Sequence, residues 1–437
     1  MTIYIMWQSI KNIYHLFQSV AAITINGFPS KDLVVIGVTG TDGKTTTSSL
    51  IYHILRTAGH KAALISTVGA VINDKVYELG FHVTTPSSFA VQAYIKKAKK
   101  AGVKYLVLET TSHALDQHRV TGIHFDVGII TNITKEHLDY HKTYERYVAA
   151  KVKLLKKSNI VIINKDDRSY EKIKKLLFPR VNTRALRERE KKVVTYGLKT
   201  DAAINPHDFK FSTKLVGKFN QYNCLAAAAA LLQLHIPDEI IRKGIASYKA
   251  PAGRQEIVYN KEFVVINDFA HTPASFAGIL PEAKKMVSGR LIHVFGSAGQ
   301  RDKYKRPEMG KISAQYSDII ILTAEDPRDE SVEKIMGEIV KGVQGSKFKV
   351  QSLDNQNRYE ASFKLAPATK YLFMIADRKE AIEFAVSLAQ KGDVVLMTGK
   401  GHERSMNYGK GEEKWDESQV ALEALNNAEL ERRTKQS

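Results

Sequence analysis

Gly40-Thr41-Asp42-Gly43-Lys44-Thr45-Thr46 is the segment of this sequence best suited to chemistry on a phosphate. Glycines 37, 40 and 43 let the backbone turn sharply, so that amide groups can surround phosphate oxygens at a helix start. Lys44 would then neutralise the β- and γ-phosphates of ATP, and the Thr45 hydroxyl would bind Mg2+. The spacing departs from G-x-x-x-x-G-K-[ST], because Val38 stands where the first glycine is expected. An ordinary tight turn is the alternative. The β-branched run Leu33 to Val38 before the loop and the helical pattern Thr45 to Ala58 after it favour nucleotide binding.

Strand and helix signals alternate along the chain, which predicts an α/β fold with mainly parallel sheets. Further apolar runs, at Lys104 to Leu108, Val127 to Thr131 and Ile160 to Asn164, each end in polar residues. In open α/β sheets the chemistry gathers at the carboxyl ends of strands, where Glu109 and Asn132 fall. An alanine-rich helix is expected from Phe219 to Leu234, stopped by Pro237. Pro251 and Gly253 then punctuate the chain, and a second series of strand runs follows at 263–267, 291–295, 319–323, 371–375 and 394–397. The expected organisation is a short N-terminal helical segment (1–32), a P-loop ATP-binding domain (33–250) and a Rossmann-like domain (251–437).

Composition narrows the partners. With 65 basic and 46 acidic residues the formal charge is +19, which favours anionic small molecules or surfaces. The lysines are dispersed and not interleaved with aromatics, so nucleic acid is not an expected partner. The single cysteine, Cys224, excludes an intrachain disulfide and a cysteine metal site and fits the cytoplasm. Met1 to Ser30 is apolar but interrupted by Gln8, Lys11, Asn12, His15 and Gln18. No stable membrane insertion is expected; a helix capping the next domain is the favoured reading and membrane-surface contact the lesser one.

Other segments carry a resemblance. His82-Val83-Thr84-Thr85-Pro86, Glu109-Thr110-Thr111-Ser112-His113-Ala114-Leu115, Thr131-Asn132-Ile133-Thr134-Lys135-Glu136-His137-Leu138-Asp139, Ala149-Ala150-Lys151 and Gly217-Lys218-Phe219-Asn220-Gln221-Tyr222-Asn223 follow the loop in order. With the variant loop spacing, they resemble the Mur ligase family over roughly residues 33 to 404, closest to the members that add the third residue of the peptidoglycan stem peptide. On their own chemistry, Glu109 and His137 suit Mg2+ bound to ATP, although a lone histidine is more often structural. The resemblance implies that Lys44, Glu109, His137 and Lys151 form the catalytic set. It also implies that Thr45, Glu109, His137 and Lys151 hold two Mg2+ ions, Lys151 as a CO2-derived carbamate. Gly40 to Thr46, Asn132 and Asn220 would bind ATP, Asn220 at the adenine or alternatively as a helix cap. Thr84, Thr85, Thr111, Gln117 and Arg119 would hold the acceptor.

In the second half, Pro251-Ala252-Gly253-Arg254-Gln255-Glu256 resembles the family's hinge. Asn267-Asp268-Phe269-Ala270-His271-Thr272-Pro273 follows, with Phe269 where tyrosine is usual. Arg254, Asp268 and His271 would close on ATP. Arg301, Glu325, Asp326, Arg328, Gly399 and Glu403 would form the amino-acid pocket, Arg328 gripping a carboxylate and Glu403 an ammonium. That pairing favours meso-diaminopimelate over lysine. However, Glu325-Asp326-Pro327-Arg328 replaces the usual Asp-Asn-Pro-Arg, and a charge at Asp326 would repel a carboxylate.

The reaction so implied is ADP-forming amide synthesis through an acyl phosphate, joining the amino acid to a peptide carboxylate such as that of UDP-N-acetylmuramoyl-L-Ala-D-Glu. Relatives carry a uridine-binding domain before the loop, whereas about 35 residues precede it here. A partner completing that site, or a different anionic peptide acceptor, is therefore an alternative. The rivals are a folylpolyglutamate synthase-like ligase, a P-loop NTPase switch and a non-catalytic nucleotide-binding scaffold.

Overall fold

The computed structural model describes residues 2–77, 84–178, 191–352 and 369–434. The chain divides into two compact units, Met1–Lys249 and Ala250–Ser437.

In the first unit the sheet order is β4-β3-β2-β5-β1-β6-β7-β8. The strands are β1 (Val34–Thr39), β2 (Ala62–Ser66), β3 (Gly69–Ile72), β4 (Lys75–Tyr77), β5 (Tyr105–Glu109), β6 (Phe125–Ile130), β7 (Ser158–Asn164) and β8 (Lys192–Tyr196). All pair in parallel except the β2–β3–β4 meander. Helices α1 (Thr2–Asn26), α2 (Lys44–Thr57), α3 (Ser88–Lys100), α4 (Ser112–Asp116), α5 (Leu138–His141), α6 (Tyr144–Lys156), α7 (Tyr170–Leu177), α8 (Lys218–Gln233) and α9 (Asp238–Ser247) complete it.

Strands covered on both faces need apolar residues at successive positions, and β1 supplies them. Ile36 and Val38 pack into one core with α2, α8 and α9, while Val35 faces a second core with α3 and Leu154 of α6. The run Cys224–Leu231 of α8 is buried throughout, and its small side chains let the helix approach the sheet closely.

The second unit has the order β13-β14-β12-β11-β15-β10-β9. Its strands are β9 (Glu256–Asn260), β10 (Val264–Asp268), β11 (Leu291–Phe295), β12 (Ile319–Leu322), β13 (Phe348–Ser352), β14 (Lys370–Met374) and β15 (Val394–Thr398), with a separate hairpin of β16 (Ser405–Asn407) and β17 (Glu412–Lys414). Only β9 runs antiparallel in the large sheet. Helices α10 (Pro273–Lys285), α11 (Lys305–Tyr316) and α12 (Val332–Val343) cover one face, and α13 (Arg378–Leu388) and α14 (Glu417–Thr434) the other.

Both sheets are mainly parallel, as the sequence leads one to expect, and they aim strand ends at polar loops. In the first unit β5 and β6 flank β1, so Glu109 and Asn132 lie on either side of the phosphate loop. In the second, the ends of β12, β11, β15 and β10 stand side by side. Among the described residues no helix is long and apolar enough to cross a membrane.

Candidate active site

The phosphate loop is held from one side by the residues after β6. Asn132 Oδ1 accepts from the Asp42 amide at 3.0 Å, and Asn132 Nδ2 donates to the Asp42 carbonyl at 3.0 Å. The Thr41 amide donates to the Asn132 carbonyl at 2.8 Å, and Thr131 Oγ1 donates to the Asp42 carbonyl at 2.7 Å. So close an approach leaves no room for a side chain at either loop glycine. A Cβ on Gly40 would lie 1.8 Å from Thr131 Oγ1, and one on Gly43, whose φ is 79°, would lie 2.3 Å from Asn223 Oδ1. The glycines are required by packing as well as by the turn.

Two lysines bracket this loop. Lys44 Nζ donates to the Thr41 carbonyl at 2.6 Å. Lys151, on α6, is buried and donates to the Gly40 carbonyl at 2.6 Å, with its Nζ 4.5 Å from the Tyr147 ring centre. Burial first, and then the nearby Lys44 charge, push the Lys151 amine well below its ordinary pKa. A lysine that reads as one more surface residue in the sequence is thus among the most buried cations of the unit.

On the opposite flank, Glu109 ends β5 with its side chain buried. Its Oε1 accepts from Thr45 Oγ1 and from Thr67 Oγ1, each at 3.1 Å, and its Oε2 from the Thr67 amide at 3.1 Å. Thr67 belongs to none of the motifs read from the sequence. Its role follows from the β2–β5 pairing, which no local spacing announces.

His137 is at φ 54°, a left-handed conformation that a non-glycine residue adopts at a cost of order 1–3 kcal/mol. It lies just before α5, with Nε2 3.7 Å from Glu136 Oε2 and its ring edge-on to His113 at 4.9 Å. Burial depresses its pKa to about 3, so the imidazole is neutral at pH 7 and keeps a lone pair to offer. The charges of Lys151 and Lys44 reach it.

The five acceptor candidates fall into one network with Glu109. Thr85 Oγ1 donates to the Glu109 carbonyl and accepts from the Thr111 amide, both at 3.1 Å. Arg119 Nη1 donates to the Thr85 carbonyl at 2.8 Å, and Arg119 Nη2 to Gln117 Oε1 at 2.6 Å. Thr84 Oγ1 accepts from Thr67 Oγ1 at 3.2 Å, and Thr111 Oγ1 caps α4 by accepting from the Ala114 amide. His82 and Val83 of the same motif lie outside the described residues. Asn220, expected at the adenine or as a helix cap, lies in the first turn of α8. It is buried, donates to the Val216 carbonyl at 2.8 Å and accepts from Asn223 at 3.0 Å, stabilising the start of α8.

In the second unit the amino-acid candidates lie on the loops after β12 and β15. Lys400, in the loop after β15, is fully buried. Its Nζ donates to both Asp326 oxygens at 2.9 Å and to Glu403 Oε2 at 2.7 Å. The charge of Asp326, expected from sequence to repel a ligand carboxylate, is therefore offset by Lys400, 74 residues further along the chain. Asp326 and Arg328 are at φ 44° and 54°, and Arg328 Nη1 donates to the Gly299 carbonyl at 2.5 Å. Glu325 is buried beside Gly399, where a Cβ would meet its Oε2 at 2.3 Å, and burial raises its pKa. Arg301 is exposed.

Arg378, at the start of α13, fixes both loops from behind. It donates to the Ala324 carbonyl at 3.0 Å and the Thr398 carbonyl at 2.8 Å, and it pairs in the core with Glu417, which also accepts from Trp415 Nε1. Near the hinge, the Asp268 carboxylate accepts from the Gln255 and Ala270 amides, and burial raises its pKa against the pull of Arg254. The Arg254 guanidinium lies 4.4 Å from the Phe269 ring centre, and the His271 carbonyl accepts from Lys305 Nζ at 2.7 Å.

A strand-flanked phosphate loop with a carboxylate and a threonine at its mouth defines a nucleotide-binding site, and a separate α/β unit follows it in the chain. Residues 38–231 match the Mur ligase middle domain, and residues 253–401 match the Mur ligase glutamate ligase domain. The chain belongs to the Mur ligase family and is an ATP-dependent amide ligase of that kind. It is 38% identical over 417 residues to the UDP-N-acetylmuramoyl-L-alanyl-D-glutamate–2,6-diaminopimelate ligase of Aquifex aeolicus, covering 91% of this chain and 79% of the relative. The Clostridium acetobutylicum ligase 1 of the same name is 35% identical over 406 residues, with the same coverage of both chains. A solved structure of a ligase of that name aligns with a TM-score of 0.59 at 27% identity, covering 96% of this chain and 83% of the other. The Mycobacterium tuberculosis folylpolyglutamate synthase aligns with a TM-score of 0.65 over 88% of this chain and 92% of its own, at 15% identity, and so shares the fold.

Proposed function

We propose that this ligase joins meso-diaminopimelate to the free carboxylate of a UDP-N-acetylmuramoyl-L-Ala-D-Glu acceptor, forming ADP and phosphate in peptidoglycan precursor synthesis. One observation carries the reading. Glu109 bonds Thr45 of the phosphate loop through its side chain and Thr85 of the acceptor network through its backbone, so the γ-phosphate and the acceptor carboxylate would meet at one residue. The relatives' names supply the two substrates.

In this reading Lys44 and the loop amides hold the β- and γ-phosphates, and Arg119 and Gln117 orient the acceptor so that its carboxylate lies in line with the γ-phosphorus. The carboxylate oxygen forms a bond to phosphorus as the bond to ADP breaks. The amine of the incoming amino acid then attacks the acyl phosphate, loses a proton and expels inorganic phosphate. Arg254, Asp268 and His271 close on ATP and exclude water. In the second unit, Arg328 takes a ligand carboxylate and Glu403, with Glu325, an ammonium, while Arg301 and Gly399 complete the pocket. With Lys400 offsetting Asp326, a second ligand carboxylate is tolerated, which favours diaminopimelate over lysine.

The donor set also fits Mg2+. Thr45 Oγ1 and Glu109 Oε1 are hard oxygens 3.1 Å apart. Among the described residues no cluster of three or more His, Cys, Asp or Glu forms a closed metal cage, and Mg2+ bound to ATP uses one or two side chains with phosphates and waters instead. Thr45 and Glu109 would hold one ion, and His137 with Lys151 a second. Mg2+, when bound, disperses charge on the transferred phosphoryl group. For Lys151 the depressed pKa favours the neutral amine, which can add to CO2 with loss of a proton to give an anionic carbamate.

The test is phosphate release from ATP with UDP-N-acetylmuramoyl-L-Ala-D-Glu across a panel of amino acids. Diaminopimelate should stimulate release most, with lysine weaker. Basal hydrolysis that no amino acid or acceptor changes would overturn the ligase assignment to these substrates.

A further inference from the structure

Helix α1 is amphipathic the wrong way round. A surface helix ordinarily turns its apolar stripe to the protein. Here the inward face carries Asn12, His15, Ser19, Ala22, Ile23 and Asn26. Ser19 Oγ donates to the His118 carbonyl at 2.7 Å and lies 2.7 Å from Ser88 Oγ, while Asn12 Nδ2 donates to Asp116 Oδ2 at 3.3 Å. Ile23 fits against Gly122, where a Cβ would lie 2.3 Å from its Cδ1. These contacts fix the rotation of the helix.

The outward face is apolar. Ile13, Tyr14, Phe17, Val20 and Ile25 are 56%, 61%, 70%, 51% and 68% exposed, and Phe28 continues the stripe past the helix end. Phe89, next to the Ser88 that bonds Ser19, is also exposed. Five large apolar side chains exposed along one side of a helix mark an interaction site.

Charge identifies the occupant. No Asp or Glu occurs between Thr2 and Asn26, and exposed Lys11 sits on the helix itself. The 3-10 turn Pro29–Asp32 that follows carries exposed Lys31 and packs on α3, where Asp32 pairs with Lys99; the last turn of α3 also holds exposed Lys97 and Lys100. An apolar stripe with aromatics and a cationic rim suits the headgroup region of an anionic bilayer. A second copy would set two chains of +19 against each other with their lysines adjacent.

We propose that α1 docks this ligase reversibly on an anionic lipid surface, lying flat with Ile13, Phe17 and Val20 in the headgroup layer and Lys11, Lys31 and Lys100 against the phosphates. Since α1 is bonded to the Asp116 carboxylate and the His118 carbonyl, docking holds the Gln117–Arg119 loop beside the membrane. The inference does not depend on which amino acid or acceptor the enzyme takes.

The full chain is sedimented with vesicles of phosphatidylcholine and phosphatidylglycerol in equal parts, or of phosphatidylcholine alone. The wild-type protein should bind the anionic vesicles at least tenfold better than the neutral ones. F17E/V20E should lose at least tenfold in binding to anionic vesicles, with phosphate release in lipid-free buffer unchanged. K31E/K100E, which touches no core residue, should weaken binding several-fold, and 0.5 M salt should do the same to the wild type. The proposal is overturned if the wild type stays in the supernatant with anionic vesicles, or if both double variants bind like the wild type. It is equally overturned if the lipid-free wild type is a dimer that F17E/V20E dissociates, because the stripe would then be a self-interface.

Discussion

The two units solve the same problem, holding polar loops at strand ends, with different chemistry. Around the phosphate loop the cations rest on backbone carbonyls: Lys44 on Thr41 and Lys151 on Gly40. Around the amino-acid loops Arg328 also rests on a carbonyl, that of Gly299, but the fully buried cations are tied to carboxylates: Lys400 to Asp326 and Glu403, Arg378 to Glu417, Arg306 to Glu330 and Glu338. A cation on a carbonyl keeps nearly its full charge for an incoming anion. One already neutralised by a carboxylate contributes shape and position instead. The first unit is built to receive charge, the second to recognise a pattern of groups.

Removing a cation should therefore cost activity in the first unit and stability with specificity in the second. Lys44→Ala should lower turnover by about 10²–10³-fold, the scale of losing one charge-stabilising donor, with an unchanged melting temperature. A variant that turns over normally would break the comparison at its strongest point. Arg378→Met leaves Glu417 buried without its countercharge and should cost about 3–5 kcal/mol in urea unfolding, as broken buried pairs do. It should also raise the KM for the amino acid without moving that for ATP. R378M/E417L should recover much of the stability but not the KM, if the Ala324 and Thr398 carbonyls are what matter.

Lys151→Ala should reduce kcat by at least about tenfold, the loss expected for a ligand-supporting group, and added bicarbonate should raise wild-type activity near neutral pH but not that of the variant. Asn132→Ala removes two hydrogen bonds to the Asp42 backbone at a cost of about 1–3 kcal/mol in ATP affinity. Its effect should appear in the KM for ATP.

The smallest effect is a slope. Arg306 hydrogen bonds hold Glu330 down to about 2, against an ordinary value of 4.5. The stabilisation is thus complete above pH 4.5 and is lost as pH falls from there through about 2. Glu330→Gln should flatten the fall in melting temperature across that window. Asp268 and Glu325, raised by burial, act with the opposite sign: their contribution is present below their unfolded values and lost as pH rises through the folded ones.

Much of this architecture is legible in the sequence because it is local. The strands β1, β5, β6 and β11 are short apolar runs, and the loop after β1 is punctuated by glycines whose need for space is now explicit in the Thr131 and Asn223 contacts. The β3–β4 hairpin is not expected from the sequence: both strands are short, and β4 is mostly exposed. Pairings across the fold are also invisible. Lys400 and Asp326 are 74 residues apart, and Arg306 and Glu338 are 32 apart. Helix α1 shows a third limit. Periodicity says that a helix has two faces, and only the contacts of Ser19 and Ile23 say which one turns inward.

The Arg378–Glu417 pair also bears on the order in which the enzyme comes into being. The loops after β12 and β15 are tied through Arg378 to a helix that begins at Glu417, after every strand of the unit. On the ribosome, the ATP-binding unit can complete its sheet long before that helix has emerged. The amino-acid loops gain their last anchor only then, so a nascent chain passes through a stage in which it can hold nucleotide before it can choose an amine.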